Sequence, residues 1–317
     1  MRVLLAVDSM NTGEAAVRQF QARPWPSGTT VEILCVVDPS YITEVPQLIE
    51  WAKQHAKELA RDTAAQIQAL GLVSTPTVLT GDPKDTIVEH ATESGADFIL
   101  VGAHRGGESS RFLFGSVARA VVRLAPCSVE VLRAPAAEIA CPRPVKVLLA
   151  TDGSECSALA ARSVAGRPWP AGTEIRILSA VELGLSLFHV PFPPAADETL
   201  RAEAMKHTQD AIHEAEQILG DAGLPASETI SVLLSGPKSI ILDEASQWGA
   251  DLVVLGSHGH RGIHRLLLGS VSEAVAMHAD CSVEVIRATQ VRRSVVPVGF
   301  AAPWVADSPS LAKGCVG

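Results

Sequence analysis

The chain has 317 residues, 47% of them hydrophobic and 19% charged, a balance that reads as globular and excludes a disordered chain. Asp and Glu number 35 against 26 Lys and Arg, a formal net charge of −9; with no basic run, the chain lacks the electrostatic footprint of a general nucleic-acid binder. No apolar stretch reaches the roughly 18–20 residues of a membrane helix. At roughly 100–200 residues per domain, two domains are expected. The N-terminal MRVLLAVDSM is too short in its apolar part for a secretory signal and reads as a buried first strand. Cys35, Cys127, Cys141, Cys156, Cys281 and Cys315 form no CxxC pair, so a reducing cytoplasm is the expected compartment.

The chain is a duplication. RPWPSGT at 23–29 recurs as RPWPAGT at 167–173, and VLLAVD at 3–8 as VLLATD at 147–152. GADFILVG at 95–102 recurs as GADLVVLG at 249–256, and CSVEVLRA at 127–134 as CSVEVIRA at 281–288. The offset grows along the chain, so the second copy carries an insertion in its middle. In chain order, strands are expected at 3–7, 31–37, 75–80, 98–101 and 128–132, then at 147–150, 174–181, 229–234, 252–255 and 282–286. Long helices are expected at 47–70, stopping at Gly71, and at 200–219, stopping at Gly220. Strands alternating with helices predict an α/β fold of two tandem domains. Each is an open five-stranded parallel sheet with helices on both faces. The boundaries fall at 1–140, 141–290 and a flexible tail at 291–317. The fifth strands, SVEVL and SVEVI, would be edges. Glu130 and Glu284 break their apolar pattern, which discourages stray edge pairing yet leaves room for the two copies to pair internally.

In an open parallel sheet, ligands bind beyond the carboxyl ends of the strands. Asp8 and Asp152 close the first strands; Gly102 and Gly256 close the fourth. Copy two then reads Gly256-Ser257-His258-Gly259, nine residues, and Gly269-Ser270 before a helix-like VSEAVAMH. Glycines let backbone N–H groups approach a phosphate, and a helix start favours an anion. Arg261, His264 and Arg265 would neutralise outer phosphates. The competing reading is a capping box, Ser270-x-x-Glu273, which would occupy the serine with its own helix.

This pattern resembles the universal stress protein family in its tandem form, over roughly 1–134 and 145–288. The G-x2-G-x9-G-[ST] pattern of its ATP-binding members is met in full by Gly256, Gly259, Gly269 and Ser270. The resemblance implies strand order 3-2-1-4-5, with ATP, and Mg2+ beside it, held between strands one and four. It places Asp152 and Ala180 at the adenine and ribose end. It places Gly256, His258 and Gly259 along ribose and phosphates, and Gly269, Ser270 and Val271 at the phosphates. Copy one departs from the pattern. Asp8, Val36, Gly102, Gly115 and Ser116 are kept, but Arg105 replaces the second glycine, followed by Gly106-Gly107. If that position needs φ > 0, an arginine there costs roughly 1 kcal/mol or more; the alternatives are a loop re-formed one residue later at Gly106-Gly107, or an Arg105 contact to a phosphate.

Other constellations carry less. His258, His260 and His264 lack a nearby carboxylate or cysteine of metal-site type, so no metal is expected, and His104 repeats His258 in copy one. Asp8 and Asp152 as general bases lack a nucleophile partner; helix capping beside Ser154 is an alternative role. No Walker lysine and no GxSxG appear. Cys156, before a helix-like ALAARSV, reads as a buried thiol. The apolar insertion at 183–196 would cover the mouth of the site or a seam between domains, and Pro39–Pro46 fills the same place in copy one. Trp304 in the tail reads as exposed. Three functions stay in view: an ATP-binding regulator of the stress response acting on domain pairing or on a protein partner, a slow ATPase or phosphotransferase, and a ligand-free interaction module. An intrachain pseudo-dimer, and a homodimer beyond it, are the expected assemblies.

Overall fold

The computed structural model describes residues 1–41, 45–103, 114–133, 144–180, 194–224, 226, 228–232, 236–259 and 268–288. The expected domain boundary near 140, the first eleven residues of the insertion at 183–196 and the tail with Trp304 lie outside them. Copy one runs β1 (Arg2–Ala6), α1 (Met10–Ala22), β2 (Thr30–Val37), α2 (Pro46–Ala69), β3 (Val73–Thr80), α3 (Pro83–Ser94), β4 (Phe98–Gly102), α4 (Ser116–Leu124) and β5 (Ser128–Leu132). Copy two runs β6 (Lys146–Thr151), α5 (Glu155–Ala165), β7 (Glu174–Ala180), α6 (Pro194–Asp221), β8 (Glu228–Val232), α7 (Pro237–Trp248), β9 (Leu252–Gly256), α8 (Ser270–His278) and β10 (Ser282–Ile286). Among the described residues, no helix is long and apolar enough to cross a membrane.

Local chemistry sets the helix ends. Ser9 caps α1 by accepting from Thr12 N at 3.4 Å, and Ser154 caps α5 by accepting from Ser157 N at 3.3 Å. Asp82 caps α3 ahead of Pro83 at its first position, where a missing N–H costs nothing. Gly95 and Gly249 end α3 and α7 in the left-handed region at φ 65° and 70°, which only glycine enters freely. The expected stop of the second long helix at Gly220 is wrong. The helix runs on to Asp221, and the chain turns at Gly223, φ 73°. Gly223 N bonds Gly220 O and Leu224 N bonds Leu219 O, both at 2.9 Å. That is the Schellman pattern, which needs its left-handed residue two places after the last helical one.

Within each copy the strand order is 3-2-1-4-5 and all pairing is parallel. The fifth strands are not edges. β5 and β10 pair antiparallel, and the copies form one ten-stranded sheet, β3-β2-β1-β4-β5-β10-β9-β6-β7-β8. Alternation along the strands then sorts the cores. On one face, β5, β10, α3, α4, α7 and α8 share a single core, with Val129, Val131, Val283 and Val285 fully buried at its centre. On the other face, α1 and α2 cover one core and α5 and α6 another.

Polar groups separate those two cores. Glu130 and Glu284 stand directly opposite each other across β5 and β10, both wholly buried. Each is met by the arginine that opens its own copy's RPWP segment: Arg23 pairs with Glu130, and Arg167 pairs bidentately with Glu284. Gln19 adds a 2.6 Å bond to Glu130. Burial pushes the Glu130 carboxyl up, Arg23 pulls it down, and the facing Glu284 pushes it up again. The ends of the junction carry a second matched pair. Arg133 of copy one donates to Ala276 O at 2.7 Å and Cys281 O at 3.2 Å; Arg287 of copy two donates to Val122 O at 2.6 Å and Ala125 O at 2.7 Å. Each copy thus caps the last helix of the other with a cation, where the helix dipole is negative.

Removing one member of a buried ion pair strands the other. Arg23→Met is expected to lower stability by ~3–5 kcal/mol, read from the urea midpoint of the full chain. Adding Glu130→Leu should restore most of that loss. A loss below ~1 kcal/mol for Arg23→Met would show the pair to be dispensable.

Candidate functional site

The order of strands makes a crevice. From β6 the chain leaves to α5, on the face of the separate cores; from the adjacent β9 it leaves to α8, on the face of the shared core. Departure to opposite faces opens the sheet at its carboxyl ends. The cleft there measures about 520 Å3 and is lined by Asp152, Ala180, Gly256, His258, Gly259, Gly269, Ser270 and Val271. All eight were expected from the sequence. Arg261, with His260, His264 and Arg265, lies outside the described residues. Among the described residues, no group of three His, Cys, Asp or Glu side chains is placed to hold a metal ion.

Each motif residue has a definite mechanical role. A Cβ on Gly256 would come within 2.7–2.8 Å of Cys156 backbone and side-chain atoms, so this glycine lets the end of β9 lie against the first turn of α5. Gly259 is not in the left-handed region, which corrects the φ > 0 reading. The constraint is contact: a Cβ there would run into the Asp152 carboxylate. Gly269 donates to Ser257 O at 2.8 Å, and a Cβ would stand 3.1 Å from that oxygen. Gly269, not Ser270, is the N-cap of α8, with no side-chain capping bond. The capping box therefore does not form. Ser270 is the first helical residue, and Glu273 turns to Arg119 and Arg123 of α4, at 3.2 and 3.9 Å. The first helical N–H groups, at Ser270, Val271 and Ser272, have no intrahelical acceptor, and these three residues line the cleft.

The loop after β9 is strapped on both sides. Ser154 Oγ donates to His258 O at 3.3 Å, and Ser272 Oγ donates to Gly256 O at 2.7 Å. His258 Nδ1 shares a 2.9 Å bond with Ser257 Oγ, while Nε2 is buried with no hydrogen-bond partner among the described residues. Burial, and then the charge of Arg287, lower the His258 pKa, so the ring is neutral at neutral pH. Asp152 Oδ1 accepts from Ser154 N at 3.1 Å. Cys156 is partly exposed inside α5, not a buried thiol ahead of it. Burial pushes the Cys35 and Cys127 thiols up to about 12, which leaves them protonated and inert.

Several lining residues were not foreseen. Leu178, Leu255, Ala150 and Ile241 give one part of the cleft apolar walls, and Thr151, Ser157 and His207 add polar groups. The strand residues lie next to foreseen ones and were legible as core. His207 comes from α6 behind the insertion, where no repeat alignment guides the eye.

Copy one keeps the frame but not the surroundings. Gly102 packs on Thr12, as Gly256 does on Cys156. Gly115 is the N-cap of α4, and Ser116 is its first residue. Val36 packs partly buried against the shared core. Asp8 accepts from Thr12 Oγ1 at 2.7 Å and Ser9 Oγ at 3.1 Å. The reason is a one-residue offset: Asp8 directly precedes the cap of α1, whereas Asp152 stands two residues before the cap of α5. Arg105, His104, Gly106 and Gly107 lie outside the described residues.

The universal stress protein family profile matches residues 1–133 and 145–287. A universal stress protein of Mycobacterium tuberculosis is 31% identical over 233 residues, covering 74% of this chain and 75% of that one. One of Mycolicibacterium smegmatis is 28% identical over 298 residues, covering 90% and 96%. Among solved structures, a universal stress protein of Archaeoglobus fulgidus shares the fold with a TM-score of 0.63 at 20% identity, over 90% of this chain and 98% of that one. With both halves matched, the chain belongs to the universal stress protein family.

Proposed function

We propose that the chain is an ATP-binding regulatory protein of the general stress response, with the copy-two cleft as its site. Nucleotide would change the pairing of the copies or the hold on a partner protein. One observation carries this reading: a strand-end carboxylate, a glycine pressed against it and the first residues of a helix all line one cleft of about 520 Å3, within the size range of small-molecule sites. Opposite chemistries sit at its two ends. The apolar walls of Leu178, Leu255 and Ile241 suit a flat base. Asp152, an acceptor, suits ribose hydroxyls or an amino group and repels phosphate. The start of α8 attracts phosphate through its N–H groups and dipole. Neutral His258 lines the cleft between them. Mg2+ would travel on the phosphate oxygens, as it does where a protein supplies few ligands.

The reading is tested by calorimetric titration of the full chain with ATP and magnesium. One site per chain is expected. Gly259→Arg, which copies Arg105 of the first repeat, should abolish it, since any side chain there meets Asp152. Two sites would show that copy one also binds; none would leave an interaction module.

Asp152→Asn keeps the shape and removes the charge. A charged hydrogen bond contributes about 1.5–3 kcal/mol, so adenosine-phosphate affinity should fall about tenfold or more, with the melting temperature held. Unchanged affinity would remove Asp152 from the site.

A further inference from the structure

A second cavity, of about 200 Å3, lies at the opposite end of the sheet in copy one, bounded by Arg2, Leu4, Glu32, Thr75, Ser94 and Ala96 among others. The two copies build the same backbone frame at this place. Arg2 N donates to Asp97 Oδ2 at 2.8 Å, and Lys146 N to Asp251 Oδ2 at 2.9 Å. The aspartate N–H groups donate back to Arg2 O and Lys146 O, both at 2.9 Å. The Arg2 side chain donates to Ser94 O at 3.0 Å, and the Lys146 side chain to Trp248 O at 3.3 Å.

On this common frame the side chains differ. Copy two has Trp248 where copy one has Ser94, and Arg176 paired with Glu244 where copy one has Glu32 beside His90. The Trp248 ring lies 4.4 Å from the Arg176 guanidinium and 5.4 Å from the Lys146 ammonium. Its indole thus stands, in copy two, beside Arg176 and Lys146, whose counterparts Glu32 and Arg2 bound the cavity in copy one. Ser94 folds its hydroxyl back onto His90 O at 2.7 Å and leaves the space open. The cavity is open to solvent on one side, and its volume of about 200 Å3 exceeds the ~150 Å3 of an engineered apolar cavity that takes benzene, so its volume admits a ring of this kind.

Glu32 decides which ring. Its Oε1 accepts from Thr77 Oγ1 at 2.7 Å and meets His90 Nε2 at 2.8 Å. Oε2 has no hydrogen-bond partner among the described residues. A carboxylate repels the negative face of an aromatic ring but accepts from a positive edge. We propose that this cavity is a binding site for a small planar heteroaromatic bearing an N–H donor, an indole-type ring lying against Leu4 and Ala96 with its N–H on Glu32. The site is separate from the nucleotide cleft and does not rest on it.

The test uses the full chain and two probes of one shape, indole and indene, the second lacking the N–H. Calorimetry should find one indole site per chain, with indene about tenfold weaker, the effect of one hydrogen bond to a charged acceptor. Ser94→Trp should abolish both by filling the space; if that variant melts below the parent, Ser94→Leu replaces it. Glu32→Leu should bring indole and indene within about twofold of each other. Saturating ATP should leave the indole isotherm unchanged. Absence of indole binding, or binding that survives both Ser94 variants, overturns the site. Equal affinity for the two probes in the parent chain overturns the donor assignment.

Discussion

Two carboxylates face each other at the middle of the sheet, and everything else is built around keeping them there. Glu130 and Glu284 occupy directly opposed positions of the only antiparallel pairing among the described strands. Opposed like charges destabilise a sheet, and burial multiplies the cost. Arg23 and Arg167 cancel it from the ends of α1 and α5. A slip of one residue between β5 and β10 would set the glutamate face of one copy beside the valine face of the other and divide the shared core. The facing glutamates therefore mark the register, while each arginine offsets the burial of its own copy's glutamate. Once the register is set, Arg133 and Arg287 reach the helix ends of the opposite copy.

The duplication supplies two equal frames, and the differences between them are confined to a few side chains. The strand-end glycine packs on the first helix in both copies, and the last-helix cap is a glycine in both. At the carboxyl ends, Gly259 leaves the Asp152 carboxylate room, while Asp8 is drawn into the cap of α1. At the amino ends the asymmetry reverses, with Trp248 stacked on Arg176 in copy two and Ser94 beside an open cavity in copy one. One fold thus presents an open cavity at each end, and each lies in a different copy.

The repeats, the β/α alternation and part of the copy-two cleft's lining were legible in the sequence, because strand ends and glycines act over a few residues, and the resemblance added Ala180, His258 and Val271. What escaped was long-range. Arg23 and Arg167 marked the repeat but gave no hint of a partner more than a hundred residues away. Gly259 suggested a backbone need when the need was space for Asp152. Ser270 and Glu273 matched a capping box, yet Glu273 is spent on the arginines of the other copy. Ser94 and Trp248 were invisible as a pair, since neither belongs to the motif.

The junction and the cleft meet in one short helix. α8 has nine residues, a span of about 13 Å. Its first N–H groups form one end of the cleft, while its last turn is capped by Arg133 and its flank is held by Arg119 and Arg123, all from copy one. A lone second copy would leave those closing carbonyls uncapped and Glu273 without its cations. It would also expose Val283 and Val285 at a bare strand edge. Copy one is therefore part of the cleft's construction whether or not it binds anything itself. That gives a physical reason why a repeat with Arg105 in its motif is still joined to its partner in one sheet.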